Sequence, residues 1–161
     1  MLSLFSRTRN SVPDLLNSML FSEQTFYTSF LRDLKHCQNE VIIESPYMTV
    51  SRVNKMLPVL RKLVKCGVKI RVNTRFPEHH NQVLKLQAYS ATNLLKGVGV
   101  RVFYYYDYHH RKLALLDGRI TYEGSLNILS QCRSREIMRR IESEALTKQM
   151  KQFLGRKNLT C

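Results

Sequence analysis

One dipeptide constrains this chain more than any other feature. Asp117-Gly118 sits between an apolar run, Leu113 to Leu116, and a β-prone run, Ile120 to Tyr122. Asp-Gly between such runs is a strong short-range hairpin signal, because both residues tolerate the positive φ that a tight two-residue turn requires. With Asp117 and Gly118 as the turn residues, Leu116 faces Arg119 across the hairpin. Counting outward, Lys112 faces Glu123 and His110 faces Ser125. Opposed residues share a face, and faces alternate along each strand. The expectation is therefore that His110, Lys112, Ser125 and Asn127 project from one side of one hairpin. The register decides this, since a slip of one residue would scatter them.

Those residue types suit one kind of chemistry. A histidine can act as a nucleophile or an acid–base group near neutral pH. A lysine brings a positive charge with three donors, and a serine hydroxyl and an asparagine amide bring neutral donors. Together they fit an anionic, oxygen-rich centre with a nucleophile aimed at it. No cluster of carboxylates accompanies them to hold a metal. The suggested reaction is attack on a phosphodiester with no metal and no cofactor.

The spacing His-x-Lys, four residues, Asp, six residues, Gly-Ser-x-Asn resembles the HKD signature of the phospholipase D superfamily. It matches at His110, Lys112, Asp117, Gly124, Ser125 and Asn127 without departure. The Glu40–Tyr47 stretch (EVIIESPY), the segment GVKIRVNTR and the VGVRVF stretch ahead of the histidine are similar to the single-motif core of that family, so the resemblance runs from roughly Phe26 to Ile141. It is closest in kind to the small bacterial endonuclease-like members and to nuclease-like domains attached to helicases. The resemblance implies a covalent phosphohistidine on His110, with Lys112 and Asn127 holding phosphate oxygens and Ser125 in the same pocket. Asp117 belongs to the signature, although its local reading is a turn former. Glu136 stands where family members often carry an acidic residue that pairs with the active-site histidine. One motif copy per chain implies that the second histidine comes from another subunit, hence a two-fold homodimer with a shared site.

The net charge is +14, from 26 Lys and Arg against 12 Asp and Glu. Such a balance points to a polyanion, nucleic acid or an anionic membrane surface. Apolar content of 43% and charged content of 24% are those of a globular chain. Cys37, Cys66, Cys132 and Cys161 are widely separated with no C-x-x-C pair, so neither a metal site nor a disulfide framework is expected. A reduced cytoplasmic setting is the default, with no signal peptide and no apolar run near the roughly 20 residues of a membrane span.

Along the chain, strands and helices alternate. Val12–Phe21 reads as a short helix with Pro13 in its first turn. Glu23–Cys37 is an amphipathic helix, with Phe26, Phe30, Leu31 and Leu34 at helical spacing. Glu40–Tyr47 is a buried strand. Ser51–Cys66 is helical, and Pro58 either kinks the helix or begins it. Residues 68–73 form a strand, Pro77 opens a helix running to about Lys96, and Gly99–Tyr106 is the strand that feeds the hairpin. Glu136–Ile141 is a last strand and Glu144–Leu154 a basic helix. This order predicts an α/β fold, a mixed β-sheet covered by helices on both faces, carrying a single HKD half-site. The chain reads as one domain over 1–161: an unassigned N-terminal segment (1–22), a core (23–141) and a C-terminal helix and tail (142–161).

Some residues stay open on sequence alone. His109 would point to the opposite strand face from His110. His79 and His80, side by side at a helix start, lack partners at ligand spacing. Tyr104, Tyr105, Tyr106 and Tyr108 could stack on unpaired bases or form a partly buried strand face. Arg71, Arg75, Arg101, Arg111, Arg133 and Arg135 flank the expected strand ends, where a groove could run. The function that fits best is cleavage of nucleic acid. Phospholipid cleavage would need a membrane element that the sequence does not offer. A non-catalytic nucleic-acid-binding module would not need the histidine.

Overall fold

The computed structural model describes residues 18–130 and 133–156. Within them lie β1 (Ser18–Ser22), α1 (Phe26–Lys35), β2 (Glu40–Glu44), α2 (Val50–Lys65), β3 (Lys69–Arg75), a 3₁₀ turn (Pro77–His79), α3 (Gln82–Gly97), β4 (Arg101–Tyr105), β5 (Leu113–Leu116), β6 (Ile120–Gly124), β7 (Ile137–Glu142) and α4 (Glu144–Arg156). The strands form one mixed sheet in the order β1-β7-β6-β5-β2-β3-β4. β2, β3 and β4 are parallel, and every other pairing is antiparallel.

The central strands are buried on both faces, which is why β2 and β5 read as continuous apolar runs rather than alternating ones. One face carries Val41, Ile43, Val72, Ala114, Leu116 and Tyr122 against Phe26, Phe30 and Leu34 of α1, Met56 and Leu60 of α2 and Leu95 of α3. The other carries Ile42, Leu113 and Leu115 against Leu154 of α4. The expected α/β sheet with helices on both faces is thus present, three helices on one side and one on the other.

Several expectations need correction. Residues 18–21, expected at the end of a helix, are the edge strand β1, paired with β7 from Ser18↔Ile141 to Ser22↔Ile137; residues 12–17 lie outside the described residues. Phe21 packs near Tyr122, a partner too remote in sequence for local periodicity to reveal. Pro58 lies inside a continuous α2 on its exposed side, so of the two alternatives the helix does not begin there. The helix opened by Pro77 is broken: a short 3₁₀ turn comes first, and α3 starts afresh with Asn81 as its cap, whose side chain accepts from the Leu84 N–H at 3.0 Å.

The hairpin register is also off by one. Asp117 and Gly118 do adopt positive φ, 51° and 66°, and the Arg119 N–H donates to the Leu116 carbonyl at 3.0 Å. The ladder nevertheless pairs Leu116 with Ile120 and Leu113 with Glu123. Arg119 therefore belongs to the turn, and its carbonyl is engaged by the Ser143 N–H at 2.9 Å, at the start of α4. That tertiary bond is invisible to a count along the hairpin.

Candidate active site

The parallel strands β2, β3 and β4 all end at one edge of the sheet. β5 starts there, β6 ends there and β7 starts there, as the pairings Glu44↔Leu113, Arg75↔Tyr105 and Gly124↔Met138 require. Ligands of open α/β sheets commonly bind at this carboxyl edge. His110, Lys112, Ser125, Asn127 and Glu136 all belong to this edge. Asp117 does not: it closes the far end of β5, four residues or roughly 13 Å away at about 3.3 Å per residue.

Because of the shifted register, Lys112 lies opposite Gly124, whose N–H donates to the Lys112 carbonyl at 3.2 Å, rather than opposite Glu123. His110 does not pair with Ser125, since the Ser125 N–H turns away to the Ile137 carbonyl at 3.0 Å. The site is thus made by the departure of both chains from the ladder, not by one face of a regular hairpin. Gly124 permits this. A Cβ there would stand 2.1 Å from the Ile137 carbonyl oxygen and 2.9 Å from the Met138 Cα, inside backbone that cannot yield.

Lys112 extends its Nζ to the His110 carbonyl at 2.8 Å, which fixes one signature residue on the other. Burial lowers the Lys112 pKa; Glu136 opposes that shift and Arg75 adds to it. Ser125 Oγ donates to Glu136 Oε2 through a short bond and accepts from the Ile137 N–H at 3.1 Å. Ser134 Oγ donates to Glu136 Oε1 at 2.7 Å, and the Glu136 N–H donates to Glu23 at 3.0 Å. The carboxylate expected to pair with His110 therefore serves the two serines and faces the Lys112 charge. Asn127 follows in a loop that Ser45 fastens: the Ser45 hydroxyl accepts from the Leu129 N–H at 3.1 Å and donates to the Tyr47 carbonyl at 2.9 Å. Asn127 Oδ1 is buried without a hydrogen-bond partner among the described residues.

The His110 side chain is exposed and its ring lies 6.4 Å from that of Tyr47, edge to face. Slight burial, then the charges of Arg75 and Lys112, lower its pKa, which favours the neutral imidazole a nucleophile needs.

Sequence reading gave Arg75 a place in an open groove, and the structure puts it beneath the site. It is 6% exposed, and its guanidinium donates to the Tyr47 hydroxyl at 3.2 Å and the His109 carbonyl at 3.1 Å. Both partners are neutral, and Nε has none among the described residues. A buried cation without a counter-charge is costly unless an anion completes it, so this corner is prepared for one. Arg111 is no groove residue either, since its Nε donates to the buried Glu44 at 2.9 Å. Arg71 and Arg101 pair across β3 and β4 nearer the far end.

His109, left open by sequence, is buried against Glu44 Oε2 at 3.4 Å and the Tyr105 ring at 4.6 Å. Burial and then the neighbouring arginines push its pKa down to about 3. His80 stands 5.0 Å ring to ring from Tyr47, with both ring nitrogens buried and unpartnered among the described residues. Glu44, Tyr47 and His80 were missed as site residues. For Glu44 and Tyr47 the signal was the polar Glu-Ser-x-Tyr ending of an otherwise apolar strand, and for His80 it was the adjacent His79-His80 pair. Among the described residues no group of three His, Cys, Asp or Glu could hold a metal ion.

A family model described as "Cardiolipin synthase, PLD-like domain" matches residues 30–157. The chain belongs to the phospholipase D superfamily. Solved structures agree on the fold of this phospholipase D-like chain. It is similar to the phospholipase D family member Nuc from Salmonella typhimurium, with TM-score 0.70 and 15% identity over 88% of this chain and 93% of that one. It is similar to NucT from Helicobacter pylori, with TM-score 0.67 and 17% identity over 86% and 93%. It also resembles the phosphatidylserine synthase of Haemophilus influenzae, with TM-score 0.66 and 12% identity over 88% of this chain but 38% of that one. No curated protein matches it by sequence.

Proposed function

We propose that the chain is a metal-independent phosphodiesterase that cleaves nucleic acid through a covalent phosphohistidine on His110. The observation that carries this reading is the exposed His110 beside two cations, Lys112 and the buried, uncompensated Arg75. A phosphodiester seated there gives Arg75 its counter-charge and brings phosphorus to the imidazole. Donors already fixed in place stabilise the charge that develops on the phosphoryl oxygens. The imidazole nitrogen bonds to phosphorus as the phosphorus–oxygen bond to the leaving group breaks, and the leaving oxygen takes a proton from a second histidine. Water then attacks phosphorus and the phosphorus–nitrogen bond breaks. The water's proton passes to the second histidine, and His110 is regenerated. In this reading His110 of a second copy is that partner, and two copies form a two-fold dimer with the sites face to face.

Nucleic acid is favoured as substrate by the net charge of +14, since neutralising backbone phosphates drives binding. Phospholipid is the second reading, favoured by the description of the matching family model; none of the described helices of the chain is long and apolar enough to cross a membrane. The test is cleavage of labelled single- and double-stranded DNA and RNA in excess EDTA by the native chain and His110→Ala. Cleavage that survives EDTA and is lost in the variant supports the proposal. Release of headgroup from anionic phospholipid vesicles, with nucleic acid left intact, would replace it with the second reading.

A further inference from the structure

The described residues include an aromatic rail that the chemistry above does not use. Tyr106 is 67% exposed and Tyr108 86% exposed. A tight turn, in which the His109 N–H donates to the Asp107 carbonyl at 2.8 Å, carries Tyr108 at its centre. Isolated exposed tyrosines are ordinary, but these are not isolated. Tyr106 lies 4.7 Å ring to ring from Phe76, Phe76 lies 5.6 Å from His79, and His79 stacks on Tyr108 at 6.4 Å. Past Tyr108 comes the Arg75 guanidinium, 5.9 Å from its ring and 5.2 Å from the Tyr47 ring, and Tyr47 adjoins His110. Rings thus run in series from Tyr106 to Tyr108, and the buried Arg75 guanidinium bridges Tyr108 to Tyr47, beside the nucleophile.

We infer that this rail is a subsite for the unpaired bases of single-stranded nucleic acid, seated on Tyr106 and Tyr108 next to the phosphate held at His110. The inference rests on the phosphodiesterase reading for the position of that phosphate. Flat exposed rings leading to a phosphate site match the alternation of base and phosphate along a single strand. Every base has a face to offer them, so the contact needs no sequence preference. A duplex keeps its base faces stacked inside and can offer only its backbone to the same cations. The rail therefore discriminates strand number, and the cations do not.

The experiment uses the full chain carrying His110→Ala, so that binding is read without turnover. A fluorescein-labelled 12-residue oligothymidylate and a duplex of the same length are titrated against it, with and without Tyr106→Ala and Tyr108→Ala together. Single-strand affinity is expected to fall by roughly 30-fold or more on removal of the two rings, with duplex affinity within about twofold. The Tyr→Phe pair should restore binding. In a separate variant, Tyr108→Trp becomes the sole tryptophan of a chain that has none, and the single strand should quench it while the duplex does not. Equal loss for both nucleic acids, no loss for the single strand, or no single-strand binding at all overturns the inference. So does a change of oligomeric state on removing the two rings, which would make the rail a contact between copies. Absence of cleavage by the native chain would instead sink the phosphodiesterase reading, and the two failures are read in separate assays.

Discussion

The two ends of the β5–β6 hairpin carry parts of the same sequence signature and treat them in opposite ways. At the turn, the Asp117 carboxylate accepts three backbone N–H groups, from Gln38 at 2.7 Å, Asn39 at 2.8 Å and Glu40 at 3.0 Å. It ties the α1–β2 connection to the hairpin at the end of the sheet away from His110. At the open end, Asn127 Oδ1 and Arg75 Nε are buried without partners among the described residues, and His110 is exposed. Satisfied polar groups stabilise a fold, and unsatisfied ones wait for something. One signature thus divides into a residue that builds the hairpin and a histidine left exposed at the open end, beside a buried arginine that lacks a counter-charge.

The sharpest test of that division exchanges the two ends. His110→Ala is expected to lower cleavage by at least roughly 10³-fold, with thermal stability unchanged within about 0.5 kcal/mol, as for an exposed side chain. Asp117→Ala should do the reverse. It strands three backbone donors and leaves alanine at positive φ, a loss of about 3 kcal/mol by urea denaturation, with activity per folded molecule retained. Loss of turnover in folded Asp117→Ala would break the comparison.

Gly124→Ala, at the open end, should lower stability and activity at once. Its Cβ meets the Ile137 carbonyl and the Met138 side chain, so β6 must part from β7 where Ser125 leaves the ladder. A stability loss of about 1–3 kcal/mol is expected, together with a fall in activity that exceeds the unfolded fraction.

Near neutral pH the smallest effect concerns His109, and it grows as pH falls. His109 is neutral in the fold, its pKa held near 3 by burial and by the arginines around it, against about 6.5 in the unfolded chain. A depressed folded pKa gives stability that is complete above the unfolded value. That contribution is lost as pH falls from about 6.5 towards 3, because the unfolded chain takes up the proton first. His109→Gln should flatten this part of the stability profile in urea titrations at successive pH values. An unchanged slope would mean that His109 is not the group responsible.

Much of the fold was legible because it rests on local patterns. Apolar runs gave the buried strands, helical spacing gave Phe26, Phe30 and Leu34, and Asp-Gly gave the turn. What failed depended on remote partners. β1 exists because Ser18–Ser22 finds the free edge of β7. The register leaves Arg119 in the turn, where the Ser143 N–H donates to its carbonyl. At the site, the spaced signature led to His110, Lys112 and Ser125. Glu136 was singled out as well, but it bonds Ser125 instead of the histidine. Arg75 became interpretable only once its burial and its neutral partners were known, and neither is written in a strand-end arginine.

The central claim is that His110 carries the phosphoryl group. The direct measurement is to mix the native chain with labelled oligonucleotide in EDTA, quench in alkaline denaturant within milliseconds to seconds, digest, and map the adduct by mass spectrometry. The account expects a nucleotide-phosphate adduct on His110 that appears and decays during turnover and is absent from His110→Ala. Turnover with no adduct, or with the adduct on another residue, would contradict it.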